Sequence, residues 1–238
     1  MSPTSIESPE TTARLAGALW LVVIVVSILE VVAGPSPNLT GSAAESAASV
    51  LASETGLRLV YAANFFGGLC YLGVTALLYE VFRPANRSLA LFAALAGAAG
   101  LAVGSAGGIN EMAGFGLLHD AARAAPADAH QMQTIAQVFM RDGPEFSVAM
   151  VYFGCQVAAI GVLILRSRFV PQIIGGLMLA GGSSYIITSF AKFVAPAVGA
   201  QLAPFVIPIA FLGEGTITLW LLFKGVNVER WRLASEVR

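Results

Sequence analysis

The chain has 238 residues, 57% of them hydrophobic and 11% charged, with a mean hydropathy of +0.78. A water-soluble domain carries about 25% charged residues, so this composition excludes an ordinary soluble globule. A formal net charge of −1, with no basic stripe or RNA-binding motif, gives no reason to expect a nucleic-acid partner. Two cysteines, Cys70 and Cys155, lie in apolar runs and offer neither a disulfide framework nor a CxxC metal site.

Crossing a bilayer takes about 20 apolar residues, and six segments meet that requirement: 13–33, 57–79, 88–113, 145–165, 172–192 and 204–223. The predicted fold class is therefore all-α, a six-helix transmembrane bundle forming one membrane domain over 13–226, with a disordered tail at 1–12 and a second tail at 227–238. The first segment ends in Val31-Val32-Ala33, which resembles a cleavage site. Its apolar run is longer than the 7–15 residues of a signal peptide's core, however, so a retained helix is expected.

Between the first two spans, GPSPN is a breaker, and SAAESAASVLASE is predicted to form a short helix with Val50 and Leu51 on one side. The longer connection before the fourth span holds Met132, Ile135, Ala136 and Phe139 at helical spacing, the stripe of an amphipathic helix expected on the outer side. A faint internal echo relates 64–84 to 151–171 through Phe66/Phe153, Gly67/Gly154, Phe82/Phe169 and Pro84/Pro171.

Orientation follows from basic residues. With the N-terminus inside, Arg14, Arg83, Arg87, Arg166, Arg168, Lys224, Arg230, Arg232 and Arg238 fall on the cytoplasmic side. Arg58, Arg123, Arg141 and Lys192 fall outside. That asymmetry places both termini in the cytoplasm.

Ionisable side chains inside a membrane are expensive and mark candidate sites. Here they gather at outer and middle depths: Glu30, Arg58, Glu111, Glu145 and Lys192 near outer helix ends, Glu214 halfway along the sixth span, with Asn64, Asn110 and Gln156 as neutral companions. In GSAGGINEMAGFG (104–116), Gly97, Gly100, Gly104, Gly107, Glu111 and Gly114 form one stripe at steps of three and four. Such a stripe admits a close neighbour and carries Glu111 inward; the neighbour is a helix of the same chain or, alternatively, a second copy. Gly181, Ser184, Thr188 and Lys192 form a similar face on the fifth span. Glu214 shares its face with Ile207, Phe211, Thr218 and Leu221, after Pro204 and Pro208, which are expected to open a local kink. The candidate ligand pocket is therefore Glu30, Arg58, Asn64, Glu111, Glu145, Thr188, Lys192 and Glu214.

No catalytic constellation accompanies it. His119, Asp120, Asp128 and His130 lack any metal-ligand spacing, the glycine-rich GSAGG and AGGSS follow no strand, and no Ser/His/Asp order or intrahelical histidine is present. No metal and no cofactor is expected.

RLAGALWLVVIV, RPANRSLALFAAL, the YFG…GVLILRSRFVPQIIGGLML block and FLGEGTITLWLLFKGV together resemble a bacterial integral-membrane family, domain of unknown function 4386, over nearly the whole chain. The resemblance implies a multi-spanning helical core in the bacterial cytoplasmic membrane, with Glu214 and Arg83-Pro84 at recognisable family positions. It also implies Asp and His where this chain has Thr188 and Lys192, and a His near Gln156, so histidine- or metal-based roles do not carry over. It supplies no activity. Three readings follow: a small-molecule-binding or transporting protein with an outer-facing polar pocket, an intramembrane enzyme on a lipid-like substrate using Glu214 or Glu111 as general base, or a non-catalytic assembly subunit.

Overall fold

The computed structural model describes residues 8–141 and 143–236, with only the backbone of Ile207. It is all-helical over those residues. The elements in chain order are α1 (Pro9–Ala33), α2 (Ala43–Ala52), α3 (Glu54–Phe82), α4 (Arg87–Ala121), α5 (Pro126–Phe139), α6 (Pro144–Ser167), α7 (Gln172–Val194), α8 (Pro196–Phe223) and α9 (Val228–Glu236). Six segments are long and apolar enough to cross a membrane: α1, α3, α4, the α5–α6 stretch through α6, α7 and α8. The chain is a multi-pass membrane protein.

The six long helices close into a ring in chain order. α1 packs on α3, α3 on α4, α4 on α6, α6 on α7, α7 on α8, and α8 returns to α1. The outside of the ring is apolar: Leu69 on α3 and Ile173 on α7 are 71% and 75% exposed. In water such a perimeter would be costly. Against hydrocarbon it is the expected surface, since a helix satisfies most of its backbone polar groups internally.

Small residues set the tightest seams. On α6 and α7, Gly161 faces Gly175, and Gly154 faces Gly182, so closely that an added Cβ would meet backbone atoms of the partner helix at under 3.0 Å. Gly17 of α1 sits in the same way on the backbone of Thr218 and Leu222 in α8. The α4 stripe is filled by its own chain: Gly100 lies under Phe153, Gly104 faces Ala149, Gly107 faces Glu145 and Gly114 lies under Met140.

Two apolar clusters bracket the ring's interior. The larger holds Trp20, Val74, Leu78, Phe82, Ile160, Met178, Ile217 and Leu221 toward the α9 end. Within it the rings of Phe82 and Phe169 stack with centroids 6.3 Å apart. The smaller cluster joins α2 and α5 to the near ends of α3 and α4 through Val50, Leu57, Phe115, Leu118, Ala136 and Met140.

Several boundaries differ from the sequence expectation. α4 runs on to Ala121, because nothing in 114–121 breaks a helix and Phe115 and Leu118 are buried there. α8 starts at Pro196, placing a proline in its first turn where no backbone N–H is missed, and it continues through Pro204 and Pro208. The tail expected at 227–238 is helical over Val228–Glu236 and docked: Trp231 Nε1 donates to the Val81 carbonyl at 2.9 Å, and Asn227 N to the Phe169 carbonyl at 2.9 Å. At the other terminus Pro9–Thr12 belong to α1, capped by Ser8, while the rest of the expected tail, 1–7, lies outside the described residues.

In α2, Val50 is buried at 1% exposure but Leu51 is exposed at 37%, as two neighbours 100° apart on a helix must be when only one side is covered. Along α5, Ala136 is fully buried while Ile135 and Phe139 stay partly exposed. Gln137 ties α5 to the α2 region by donating to the carbonyls of Leu39 and Gly41 and to Ser46 Oγ.

Candidate functional site

Between the two apolar clusters the ring encloses a cavity of about 490 Å³, to which all six long helices contribute. α1 supplies Ser27 and Glu30, α3 supplies Tyr61, Asn64, Phe65 and Tyr71, and α4 supplies Ser105 and Glu111 with Gly104, Gly107 and Gly108 between them. Glu145, Phe146 and Phe153 come from α6, Tyr185 from α7 and Glu214 from α8. The glycines matter here: without side chains they leave the α4 wall recessed, so the volume exists where ring packing would otherwise fill it.

The deep end is built around Glu214. The Tyr185 hydroxyl donates to Glu214 Oε1 at 2.9 Å across the α7–α8 seam, and the indole of Trp20, only 2% exposed, lies against the same carboxylate from α1. Both are neutral donors. They supply hydrogen bonds to the carboxyl group but no opposite charge, at a depth where an ionised side chain costs about 2.5–3.5 kcal/mol on insertion scales.

Beside this group a polar belt closes the cavity toward the larger apolar cluster. Tyr71 OH donates to Gln156 Oε1 at 2.5 Å, Gln156 Nε2 donates to Thr75 Oγ1 at 3.2 Å, and Thr75 Oγ1 donates to the Tyr71 carbonyl at 2.9 Å. Gln156 is 2% exposed and lies directly on Gly97, where any Cβ would overlap its carboxamide. Gly97 is therefore the residue that makes room for the belt. The Tyr71 ring also meets Phe153 edge to face at 5.2 Å.

Toward the open side stand Glu30 and Asn64, both exposed, with Glu111 and Glu145 half-buried. Tyr61 lies beside Glu111 and meets Phe115 edge to face at 6.0 Å.

Of the eight residues singled out in the sequence, five line the cavity: Glu30, Asn64, Glu111, Glu145 and Glu214. Three do not. Arg58 is drawn to Glu54 one turn away at 2.6 Å, with its guanidinium 4.9 Å from the Phe115 ring centroid. Thr188 is buried on α7 outside the lining. Lys192 is also outside it, with its ammonium 5.9 Å from the centroid of Phe146, whose ring does line the cavity. Among the described lining residues there is no Lys, Arg or His.

The tyrosines and Ser27 and Ser105 were not singled out from sequence. Their signal is nonetheless present: a tyrosine within an apolar span needs a partner for its hydroxyl, and Tyr71 and Tyr185 each find one. Contrary to the expectation of no intrahelical histidine, His119 lies in the last turn of α4 and His130 within α5; His119 bonds Glu54 at 3.0 Å and so links the α3 and α4 ends. Among the described residues no three His, Cys, Asp or Glu side chains come together as metal ligands.

A ring of six bilayer-length helices around a ligand-sized chamber with acidic groups on largely apolar walls defines a multi-pass membrane protein of the bundle class. More particularly, the chain belongs to the family described as domain of unknown function DUF4386, whose model matches residues 15–225. No curated protein and no solved structure matches it.

Proposed function

We propose that the protein is a small-molecule-binding protein of the bacterial cytoplasmic membrane, its ligand held in the chamber between the six helices. The observation that carries this reading is the convergence of all six on one cavity of about 490 Å³ with a carboxylate at its deep end. That volume falls in the range of about 300–1,000 Å³ typical of small-molecule sites. Four acidic side chains kept within a membrane bundle are costly to folding, and a ligand role gives them a use that packing does not.

The chamber faces the outer side in this reading. The arginine pairs of the Arg83/Arg87 and Arg166/Arg168 turns stand at the opposite end, in accord with the positive-inside rule. A membrane-impermeant maleimide then labels Ala122→Cys in intact spheroplasts and Ser88→Cys only after lysis; the reverse pattern inverts the orientation. The buried, hydrogen-bonded Tyr71–Gln156–Thr75 belt favours binding from one side over passage through the bundle.

The test is to fill the chamber. Gly104 has space for a side chain, its nearest foreign atom being the Ala149 methyl at 3.5 Å, so Gly104→Leu occupies the cavity without displacing backbone. Native mass spectrometry of protein released from mild detergent should find a small molecule on the wild type that is absent from Gly104→Leu. Equal ligand content in both proteins, or none in either, argues against the reading.

A further inference from the structure

We infer that the occupant of this chamber is a lipophilic organic cation, a positively charged centre carried on an apolar body. The inference rests on the chamber being a ligand site, and it identifies the class of ligand from the chamber's own charge and walls.

Charge decides the sign. Glu30, Glu111, Glu145 and Glu214 come from four different helices to one chamber, open on the side of Glu30, and no cationic side chain is among its described lining residues. The two cations singled out in the sequence are not among them: Arg58 pairs with Glu54, and Lys192 stands over the Phe146 ring without itself lining the chamber. At the deep end Glu214 meets the neutral donors Tyr185 and Trp20. In a medium of low dielectric a unit charge a few ångströms from these carboxylates is strongly attracted if positive and repelled if negative. An anionic ligand would add to a repulsion already present.

Size and dispersal decide the kind of cation. No three acidic or other ligating side chains among the described residues gather at the spacing that would hold one metal ion. The carboxylates instead spread from the exposed rim at Glu30 to the half-buried Glu214 beside Trp20. A chamber of about 490 Å³ with carboxylates at separate points suits a molecule of many atoms.

The walls decide its body. Tyr61, Phe65, Tyr71, Phe146, Phe153 and Tyr185 line the space. Aromatic faces attract cations within about 6 Å of the ring centroid, and the Lys192 ammonium already sits at that distance from Phe146. The same rings favour apolar bulk, and the recessed glycine wall of α4 gives that bulk room.

Two probes of the same shape and opposite charge test the inference: tetraphenylphosphonium and tetraphenylborate. Equilibrium dialysis of the full-length protein in a neutral detergent, with protein-free micelles subtracted, should show saturable binding of the phosphonium and none of the borate. Glu214→Gln should weaken phosphonium binding by about tenfold or more, the effect of losing one charge pair in a poorly screened site. Glu145→Gln serves in the same way should the first variant elute as aggregate. Saturable borate binding as tight as the phosphonium, or no saturable phosphonium binding, overturns the assignment. Where the phosphonium fails but a small molecule co-purifies with the wild type and not with Gly104→Leu, the chamber remains a ligand site and only the cationic class falls. Phosphonium binding that survives Gly104→Leu unchanged removes both.

Discussion

Tyr185 on α7 and Glu214 on α8 are joined by a hydrogen bond of 2.9 Å from the phenol to the carboxylate, and that bond fixes the deep end of the chamber. The two changes that touch it have different consequences. Tyr185→Phe keeps the ring and deletes the donor, leaving the carboxylate short of a partner, at a cost of about 1–3 kcal/mol. Glu214→Gln keeps an oxygen for Tyr185 to donate to and removes the charge, so it should unfold later than Tyr185→Phe. Thermal unfolding of the two variants in the same detergent gives the order directly. A Tyr185→Phe protein as stable as the wild type would mean that the bond contributes nothing to holding α7 on α8.

The Gln156 belt and Gly97 are mutually dependent, which a double-mutant cycle can measure. Gly97→Ala drives a methyl into the buried carboxamide, and overpacking of this kind costs about 1–3 kcal/mol. Gln156→Ala opens a gap and leaves the Tyr71 hydroxyl without its acceptor. Together the two changes should cost clearly less than the sum of their separate effects, since the second removes the group with which the first collides. Additive effects in denaturant titrations would show that Gln156 does not sit on Gly97.

The ease with which these features could be read from sequence depended on their range. Span number and order follow from runs of apolar residues, a local property, and α1 through α8 appear in that order. The glycine stripe on α4 and the inward course of Glu111 also follow from helical periodicity. The fate of the cations did not. Arg58 has Glu54 one turn before it on the same helix, and that short-range pair wins over a distant pocket. Lys192 stands in the last turn of α7, where its long side chain brings the ammonium over the Phe146 ring and not into the chamber lining. The belt joining Tyr71, Thr75 and Gln156 spans residues more than 80 positions apart, and no periodicity along one helix predicts a meeting between two. The helix and docking of the C-terminal tail are not legible either, because its polar composition hides one anchoring residue, Trp231.

At the start of α2, Ser42 and Glu45 form a reciprocal cap. Ser42 N–H and Oγ donate to Glu45 Oε2 at 2.8 and 2.9 Å, and the Glu45 backbone N–H donates to Ser42 Oγ at 3.3 Å. The backbone bond from Ser42, followed by its hydroxyl, holds the Glu45 carboxyl below its ordinary value of 4.5. A carboxylate with a lowered folded-state pKa stabilises the fold fully above its unfolded value and loses that contribution as pH falls through the folded one. The α2 cap should therefore be intact at neutral pH and weaken below about pH 4.5. Hydrogen exchange at the Ser46 and Ala47 amides, after correction for intrinsic rates, should show protection falling over that window in the wild type and already low in Ser42→Ala. Protection independent of pH in the wild type would count against a carboxylate cap.

Adjacent glycines at the start of α7 give the sharpest test of how the ring is held. Gly175 faces α6 so closely that a Cβ would stand 2.9 Å from the Gly161 carbonyl and 3.0 Å from the side chains of Ile164 and Leu165. Gly176, one position on, is exposed and has no foreign atom within 4 Å of its own added Cβ. Both are helical, so Ala should gain about 0.5–1 kcal/mol of backbone entropy at either site. At Gly176 nothing opposes the gain, and Gly176→Ala should be neutral or stabilising. At Gly175 the collision is with backbone, which cannot swing aside, and separating α7 from α6 also loosens the seams at Gly154 and Gly182. Gly175→Ala should lower stability by about 1–3 kcal/mol. Unfolding curves of the two single variants, equal in composition and one residue apart, decide the matter: if they coincide, backbone contact between α6 and α7 is not what holds this side of the ring.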